Sequence, residues 1–267
     1  MAYELFALKY AESDLARPRH ENFVGMKDDP HEGPLPLFFY VWVAVGHGRV
    51  VLIDTGADQA VCEARGHRFF KSPADLLRLI GIQPEAVDTI ISTHLHWDHA
   101  GNFEMFPNAT FHACPQEIAF ATGPCMCHRF LRRPYDVDRV CDFVRMVYAD
   151  RVTFHDDSAE VAPGLFMHRA PGHTPGLCFA EVPTKRGKVV VASDTMHFYD
   201  NGALGIPFPV ISDITAYLQS IKRVMDCAES VDHMIPGHDP KVMELYPPVS
   251  EQTRGLAVRL DVAPIAR

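Results

Sequence analysis

The 267-residue sequence predicts a layered α/β fold, and three observations carry that prediction. Apolar runs of strand length alternate with stretches of helical periodicity. Four of those runs end in a Gly/Pro-rich or polar turn that carries potential metal ligands: the stretch His94-Leu95-His96-Trp97-Asp98-His99, then His173, Asp194 and His238. Strand ends converging on one rim are how layered folds gather a site from distant sequence. With 47% apolar residues, the chain can also bury the core that such layers need.

Taken in order, residues 1–12 read as an edge strand. Residues 13–36 are polar and rich in proline and charge, which suggests a surface excursion. Its apolar members Phe23, Val24 and Met26 either cover a substrate pocket or pack against the domain. Residues 37–45 and 49–53 read as a hairpin joined at Gly46-His47-Gly48. Asp54 ends the second strand, where it either orients a metal-binding histidine or bonds its own turn. Residues 72–81 form a short helix, with Ser72 at the cap, Pro73 in the first turn and Gly81 past the end. The run 87–92 is a buried strand that delivers the histidine-rich stretch.

Further on, 110–113 reads as a strand and Pro115 opens a helix. Residues 115–150 form a mostly helical insertion, with Val137, Val140, Cys141, Val144 and Val147 at helical spacing. Cys125-Met126-Cys127-His128 lacks a second ligand pair at finger-like spacing, so packing or a pocket wall is the expectation. The strands 165–170 and 188–192 deliver Pro171-Gly172-His173-Thr174-Pro175-Gly176 and Ser193-Asp194-Thr195. A helix over 212–229, capped by Ser212, carries an apolar stripe of Ile214, Tyr217, Leu218, Ile221, Val224, Met225 and Ala228. A last strand, 231–235, ends in Pro236-Gly237-His238-Asp239. No repeat or linker interrupts the chain, so one domain over 1–267 is expected.

Chemistry concentrates in the stretch 94–99. On an extended backbone His94 and His96 point to the same side, and Asp98 and His99 follow where the chain must turn. Four N/O donors in six residues suit borderline divalent ions such as zinc. From composition, a chance HxHxDH in such a chain has a probability of about 0.4 per cent. The net charge of −9, without a basic stripe, argues against nucleic-acid binding. No signal-peptide pattern and no membrane-length apolar run is seen, so a cytoplasmic protein without membrane contact is expected. The seven irregularly spaced cysteines are expected to be reduced.

With HLHWDH, PGHTPG, SDT and PGHD in this order, the sequence resembles the metallo-β-lactamase superfamily, and within it most closely the N-acyl-homoserine-lactone lactonase family. The resemblance covers about residues 37 to 240. It implies an αββα sandwich, here with a helical insertion, and two divalent metal ions, usually zinc, in a cleft at one edge of the sheets. His94, His96 and His173 would hold one ion, Asp98, His99 and His238 the other, and Asp194 would bridge them. A class B β-lactamase of the common type would instead carry a cysteine at the Asp194 position.

The implied reaction is opening of a lactone ring by a metal-bridging hydroxide, with N-acyl-homoserine lactones, and hence quorum quenching, as the family's case. Asp98 or Asp194 would relay the proton. The lactonases place a tyrosine three residues after the bridging aspartate. Here that position is His197, and either it or Tyr199 would take the tyrosine's part. The pocket wall is expected from residues 20–36, Trp97, 120–146 and 197–208, with Phe198, Ile206, Phe208 and Val210 as apolar candidates. No Arg/Lys cluster adjoins the ligand motifs, so an acyl or aromatic lactone is expected rather than a phosphorylated one. Another ester, a thioester or a cyclic amide is the alternative substrate, and a redox di-iron protein the alternative of another class. A homodimer is left open.

Overall fold

A computed structural model describes residues 2–265. The chain begins with β1 (Glu4–Glu12), β2 (Phe38–Gly46), β3 (Arg49–Ile53), α1 (Gln59–Ala64), β4 (Arg68–Phe69), α2 (Pro73–Leu79), β5 (Thr89–Ile91) and β6 (Thr110–Ala113). The insertion follows as α3 (Pro115–Ala121), α4 (Arg129–Arg132) and α5 (Val137–Tyr148). Then come β7 (Val152–Phe154), β8 (Ala159–Ala162), β9 (Leu165–Arg169), β10 (Cys178–Thr184) and β11 (Gly187–Ser193). The last elements are α6 (Tyr199–Leu204), α7 (Ile214–Cys227), β12 (Met234–Pro236), α8 (Lys241–Leu245) and β13 (Ala257–Arg259).

Among the described residues the strands form two sheets. One runs β13-β1-β2-β3-β5-β6-β7, with β4 also paired to β1, and the other runs β12-β11-β10-β9-β8. Period-two alternation divides their side chains among three cores. On β2, Tyr40, Trp42 and Ala44 face a core shared with Leu165, Met167, Val189 and Val191 of the second sheet. Phe39, Val41 and Val43 face outward onto the helices of the first sheet, together with Leu76, Leu77 and Phe143. On β11, Val190 and Ala192 turn to Tyr217, Ile221 and Val224 of α7. Helices therefore cover the outer faces of two packed sheets, the αββα arrangement.

Register brings the ligand-bearing turns to one level. The strands β3, β5 and β6 are parallel, with Ile53 opposite Ile91 and Ile91 opposite His112, so Asp54 and Thr93 leave at the same edge. In the second sheet Ser193 pairs with Pro236, and Arg169 with Cys178, so the turns holding Asp194, His238 and His173 start side by side. Cys178 N–H donates to the Thr93 carbonyl at 2.9 Å, tying the two rims together.

Several sequence expectations hold. The hairpin turns through His47 and Gly48, at φ 54° and 72°, the paired positive angles that suit strand twist in a two-residue turn. The Ser72 side chain caps α2 by accepting from Asp75 N–H. The insertion is helical, and no helix among the described residues is long and apolar enough to cross a membrane.

Others are corrected. Strand β1 is not an edge, because β13 pairs along it at Phe6–Arg259 and Leu8–Ala257. Asp213 rather than Ser212 caps α7, since its side chain accepts from Ala216 N–H while the Ser212 hydroxyl donates to the Gly172 carbonyl. Tyr217, Ile221 and Val224 of α7 are buried against the sheet with Cys227 and Ala228 packed beside them, whereas Ile214, Leu218 and Met225 are 41–48% exposed. Likewise α5 buries Val140, Phe143 and Met146, leaving Val137 and Cys141 outside. The expected strand over 231–235 is a 3-10 turn, Val231–His233, followed by β12.

Candidate metal centre

Two groups of donor atoms meet where the strand ends converge. In the first, His96 Nδ1 lies 3.0 Å from His94 Nε2 and 2.9 Å from His173 Nε2. Asp194 Oδ2 is 3.1 Å from His173 Nε2 and 3.6 Å from His94 Nε2. In the second, Asp194 Oδ1 is 2.9 Å from His238 Nε2 and 3.1 Å from His99 Nε2. Asp98 Oδ2 stands 3.6 and 3.7 Å from those same nitrogens. Four ligands about a zinc ion at roughly 2.1 Å would lie about 3.4 Å apart, so both groups have the spacing of a tetrahedral shell. Every member is buried, and the donors are imidazole and carboxylate with no thiolate, a set suited to zinc.

Four of these imidazoles are oriented from behind, and His96 alone turns its Nδ1 to the centre. His173 Nδ1 donates to the Val210 carbonyl at 2.8 Å and His238 Nδ1 to the Phe38 carbonyl at 2.9 Å. His99 Nδ1 faces Asp54 Oδ2 at 2.7 Å, and His94 Nδ1 faces the Thr93 hydroxyl at 3.1 Å. That hydroxyl donates to Asp54 Oδ2 at 2.7 Å, and Thr93 N–H donates to Asp54 Oδ1 at 2.8 Å. Fixing the proton on Nδ1 leaves the Nε2 lone pair free for the centre. The Asp54 carboxylate thus turns to Thr93 and His99 and not to its own turn, although its backbone is left-handed at φ 61°. Ser193 repeats the device at φ 46° immediately before Asp194, a strained conformation for a non-glycine residue at a functional strand end.

Electrostatics divides the donors. Burial and the neighbouring imidazoles hold His94 and His96 well below the ordinary histidine range, so both present neutral rings. Burial also opposes charge on His99, but Asp194, Asp98 and Asp54 together raise it well above that range. Asp194 is held well below the carboxylate range, because the surrounding imidazoles, His197 foremost, outweigh its burial.

Backbone approach is tight here too. A Cβ at position 237 would stand 2.7 Å from the Ser193 carbonyl oxygen and 2.9 Å from Asp194 Oδ1, so only glycine fits beside that carboxylate. Glu117 of α3 has a part that sequence reasoning missed. Fully buried, it accepts from Leu95 N–H at 3.0 Å, the Tyr135 hydroxyl at 3.1 Å and the Thr174 hydroxyl at 2.6 Å. It therefore ties the 94–99 loop to the insertion and to the His173 loop. No local motif marks it.

A cleft of about 240 Å³ opens onto the donors. Trp97, Phe208 and Val210 line it as expected, and so does Pro134 of the insertion. Residues 20–36 do not supply the wall; their neighbours Arg17 and Leu37 do, while Phe23 packs in the core against Phe198. Ile206 is a half-buried residue packed on that same core. The expectation that no basic cluster adjoins the motifs is also overturned, since Arg17, Arg65 and Arg133 all line the cleft.

His197 is at the centre, its Nε2 3.1 Å from Asp194 Oδ2 and its ring stacked on Phe208 at 3.8 Å. Burial brings its pKa down to about 3. Tyr199 lies elsewhere, lining a separate cavity with Val231, Lys241, Glu244 and Leu245. Cys125 and Cys127 join no group of three or more ligating residues among those described; Cys125 is half-buried and Cys127 exposed.

Comparison with known proteins adds an independent line. The family model described as the metallo-beta-lactamase superfamily matches residues 36–238. A probable metallo-hydrolase of Methanocaldococcus jannaschii is 28% identical over 160 residues, 60% of this chain and 61% of that relative, so the chain spans about three fifths of its length. The N-acyl homoserine lactonase AttM of Azorhizobium caulinodans is 26% identical over 228 residues, 79% of this chain and 83% of that protein. Among solved structures, a quorum-quenching N-acyl homoserine lactone lactonase superposes with a TM-score of 0.73 at 22% identity, covering 90% of this chain and 94% of the other.

Proposed function

The chain belongs to the metallo-β-lactamase superfamily, and from that membership and the geometry of its strand ends we propose a hydrolase that holds two divalent ions, zinc in the first instance, and opens a lactone ring. The observation that carries the reading is the division of Asp194: one carboxylate oxygen faces His94 and His173, the other His99 and His238. A carboxylate buried among imidazoles from three other strand ends could bridge two ions. When bound, such ions supply Lewis acidity and lower the pKa of water towards neutrality.

The residues divide the remaining work. His94, His96 and His173 would hold one ion, and Asp98, His99 and His238 the other. Ring opening needs a proton at the departing alkoxide, and Asp98 suits the transfer because it lines the cleft and is less enclosed than Asp194. Asp194 is already engaged by the surrounding imidazoles, so it serves better as a bridge than as a carrier. His197, neutral and stacked on Phe208, lines the cleft without belonging to either set of three ligands, so in this reading it would meet the substrate carbonyl. AttM's name makes N-acyl homoserine lactones the first substrates to try.

The test joins metal analysis to a pH-stat assay of zinc-reconstituted protein on a lactone panel. About two zinc ions per chain and ring opening are expected, with turnover at least about a hundredfold lower in Asp194→Ala. A folded, metal-loaded Asp194→Ala protein that works at the wild-type rate would sink the assignment.

A further inference from the structure

Three guanidinium groups on the cleft wall take no part in the chemistry described so far. Arg17 comes from the segment after β1, Arg65 from the end of α1, and Arg133 from just past α4, yet all three share the cleft with Asp98, Asp194 and His238. Depth separates the two sets. Asp194, His173 and His238 are 2–3% exposed, whereas Arg17 and Arg65 are half-buried and Arg133 is exposed. The metal-binding donors form the floor and the arginines form the rim.

Three like charges at one rim repel unless something neutralises them. Only Arg17 has an ion-pair partner among the described residues, the half-exposed Glu21 at 3.3 Å. Arg65 reaches the backbone carbonyls of Arg133 and Tyr135, both at a long 3.4 Å, and its guanidinium lies 4.9 Å above Trp97. The Arg133 side chain has neither a hydrogen bond nor an ion pair among the described residues. Burial lowers both Arg17 and Arg65 from the ordinary arginine value, and Arg133 adds to it, while Glu21 beside Arg17 and Asp98 and Asp136 beside Arg65 offset only part of that. Solvation at a surface accounts for Arg133 taken alone. It does not account for two half-buried guanidinium groups turned into the same space as a third.

Building on the hydrolase reading of the floor, we propose that the substrate is an anionic lactone, a compact cyclic ester whose carboxylate is held at the rim by Arg65 and Arg133 while its ring carbonyl reaches the metal-binding donors. A guanidinium fork matches a planar carboxylate and is the side chain best suited to hold it. The body of the molecule has apolar walls in Phe39, Trp97 and Phe208. At about 240 Å³, the cleft is smaller than the roughly 300–1,000 Å³ typical of drug-sized ligands, which favours a short substrate over a long acyl chain.

Two lactones with the same heavy-atom skeleton separate charge from shape: N-succinyl-homoserine lactone and N-(4-methylpentanoyl)-homoserine lactone. The zinc-loaded protein should prefer the succinyl compound by about tenfold to a hundredfold in kcat/KM. Arg65→Ala and Arg133→Ala should each collapse that preference, chiefly through KM, and added salt should narrow it. A second measurement needs no turnover. Glutarate, but not its dimethyl ester, should raise the melting temperature of the wild type and do so less in the Arg65→Ala/Arg133→Ala protein.

Equal turnover of the two lactones would overturn the anionic substrate and leave the lactonase reading standing. If neither lactone opens while glutarate still protects through the arginines, the lactone is refuted and the rim site is upheld. Silence in both assays would overturn the two together.

Discussion

Replacing Asp54 by asparagine tests whether the imidazoles proposed to hold metal are set from behind. The carboxylate accepts from Thr93 N–H at 2.8 Å, from the Thr93 hydroxyl at 2.7 Å and from His99 Nδ1 at 2.7 Å. Asparagine keeps the shape but offers one acceptor oxygen. With that oxygen on Thr93 N–H, its NH2 group faces the hydroxyl and the imidazole. The hydroxyl can rotate to accept. His99 can no longer donate, so its proton moves to Nε2, the atom that stands 3.1 Å from Asp194 Oδ1 and would have to bind the ion. Loss of such an outer partner typically costs 10- to 100-fold in metal affinity, about 1.4–2.7 kcal/mol.

The loss should fall mainly on the Asp98, His99 and His238 group. Thr93 retains Ser193 at 2.9 Å, so His94 keeps its orientation better. Overall stability should change less than three charge-assisted bonds suggest, because burial already raises the Asp54 carboxyl and a neutral amide removes that cost. The assay is zinc competition against a chromophoric chelator, with urea unfolding in parallel. One weakened equivalent is the expected result. Two equivalents bound at wild-type affinity by folded Asp54→Asn would refute the reasoning.

Three further outcomes follow from the geometry. His112 stacks on His155 with their nitrogens 2.9 Å apart, and burial lowers its pKa to about 4. A histidine held below its unfolded value of about 6.5 stabilises the fold above that pH and loses the contribution as pH falls towards 4. After discounting for its partial exposure, the loss between pH 7 and pH 4 is about 1–2 kcal/mol, and His112→Phe should flatten the pH dependence of the urea midpoint by that amount. Gly237→Ala should displace Asp194 and lower both zinc content and turnover, at about 1–3 kcal/mol of stability; a fully loaded variant at wild-type rate would contradict the close approach. Asp213→Ala should cost about 1 kcal/mol in thermal unfolding as a lost helix cap, and Ser212→Ala should cost less.

What the sequence made legible was local. His94 and His96 share a side because strands alternate, and a turn residue such as His173 declares itself by the glycines and prolines around it. What it hid came from residues brought together across the chain. Arg17, Arg65 and Arg133 lie on three separate segments, and Glu117 sits in a helix without a motif. Strand β1 is the exception, because its signal was present. Leu5 and Ala7 face one core while Phe6, Leu8 and Tyr10 face another, and a run apolar on both faces marks an interior strand. On α7 the reverse happened: seven apolar residues suggested a broad stripe, but Ile214, Leu218 and Met225 lie outside the row that Tyr217, Ile221, Val224 and Ala228 present to the sheet.

The pairing of β13 with β1 also sets an order of events during synthesis. Leu8 emerges from the ribosome early, and its partner Ala257 follows about 250 residues later. At 5–20 residues per second, that interval is roughly 10–50 s. Throughout it, the Phe6–Leu8 part of an apolar strand edge stands open, a template on which another chain can pair. All seven of the residues proposed to hold metal are made before that edge closes. An early-bound ion could hold the rim together while the opposite side of the sheet still waits for its last strand.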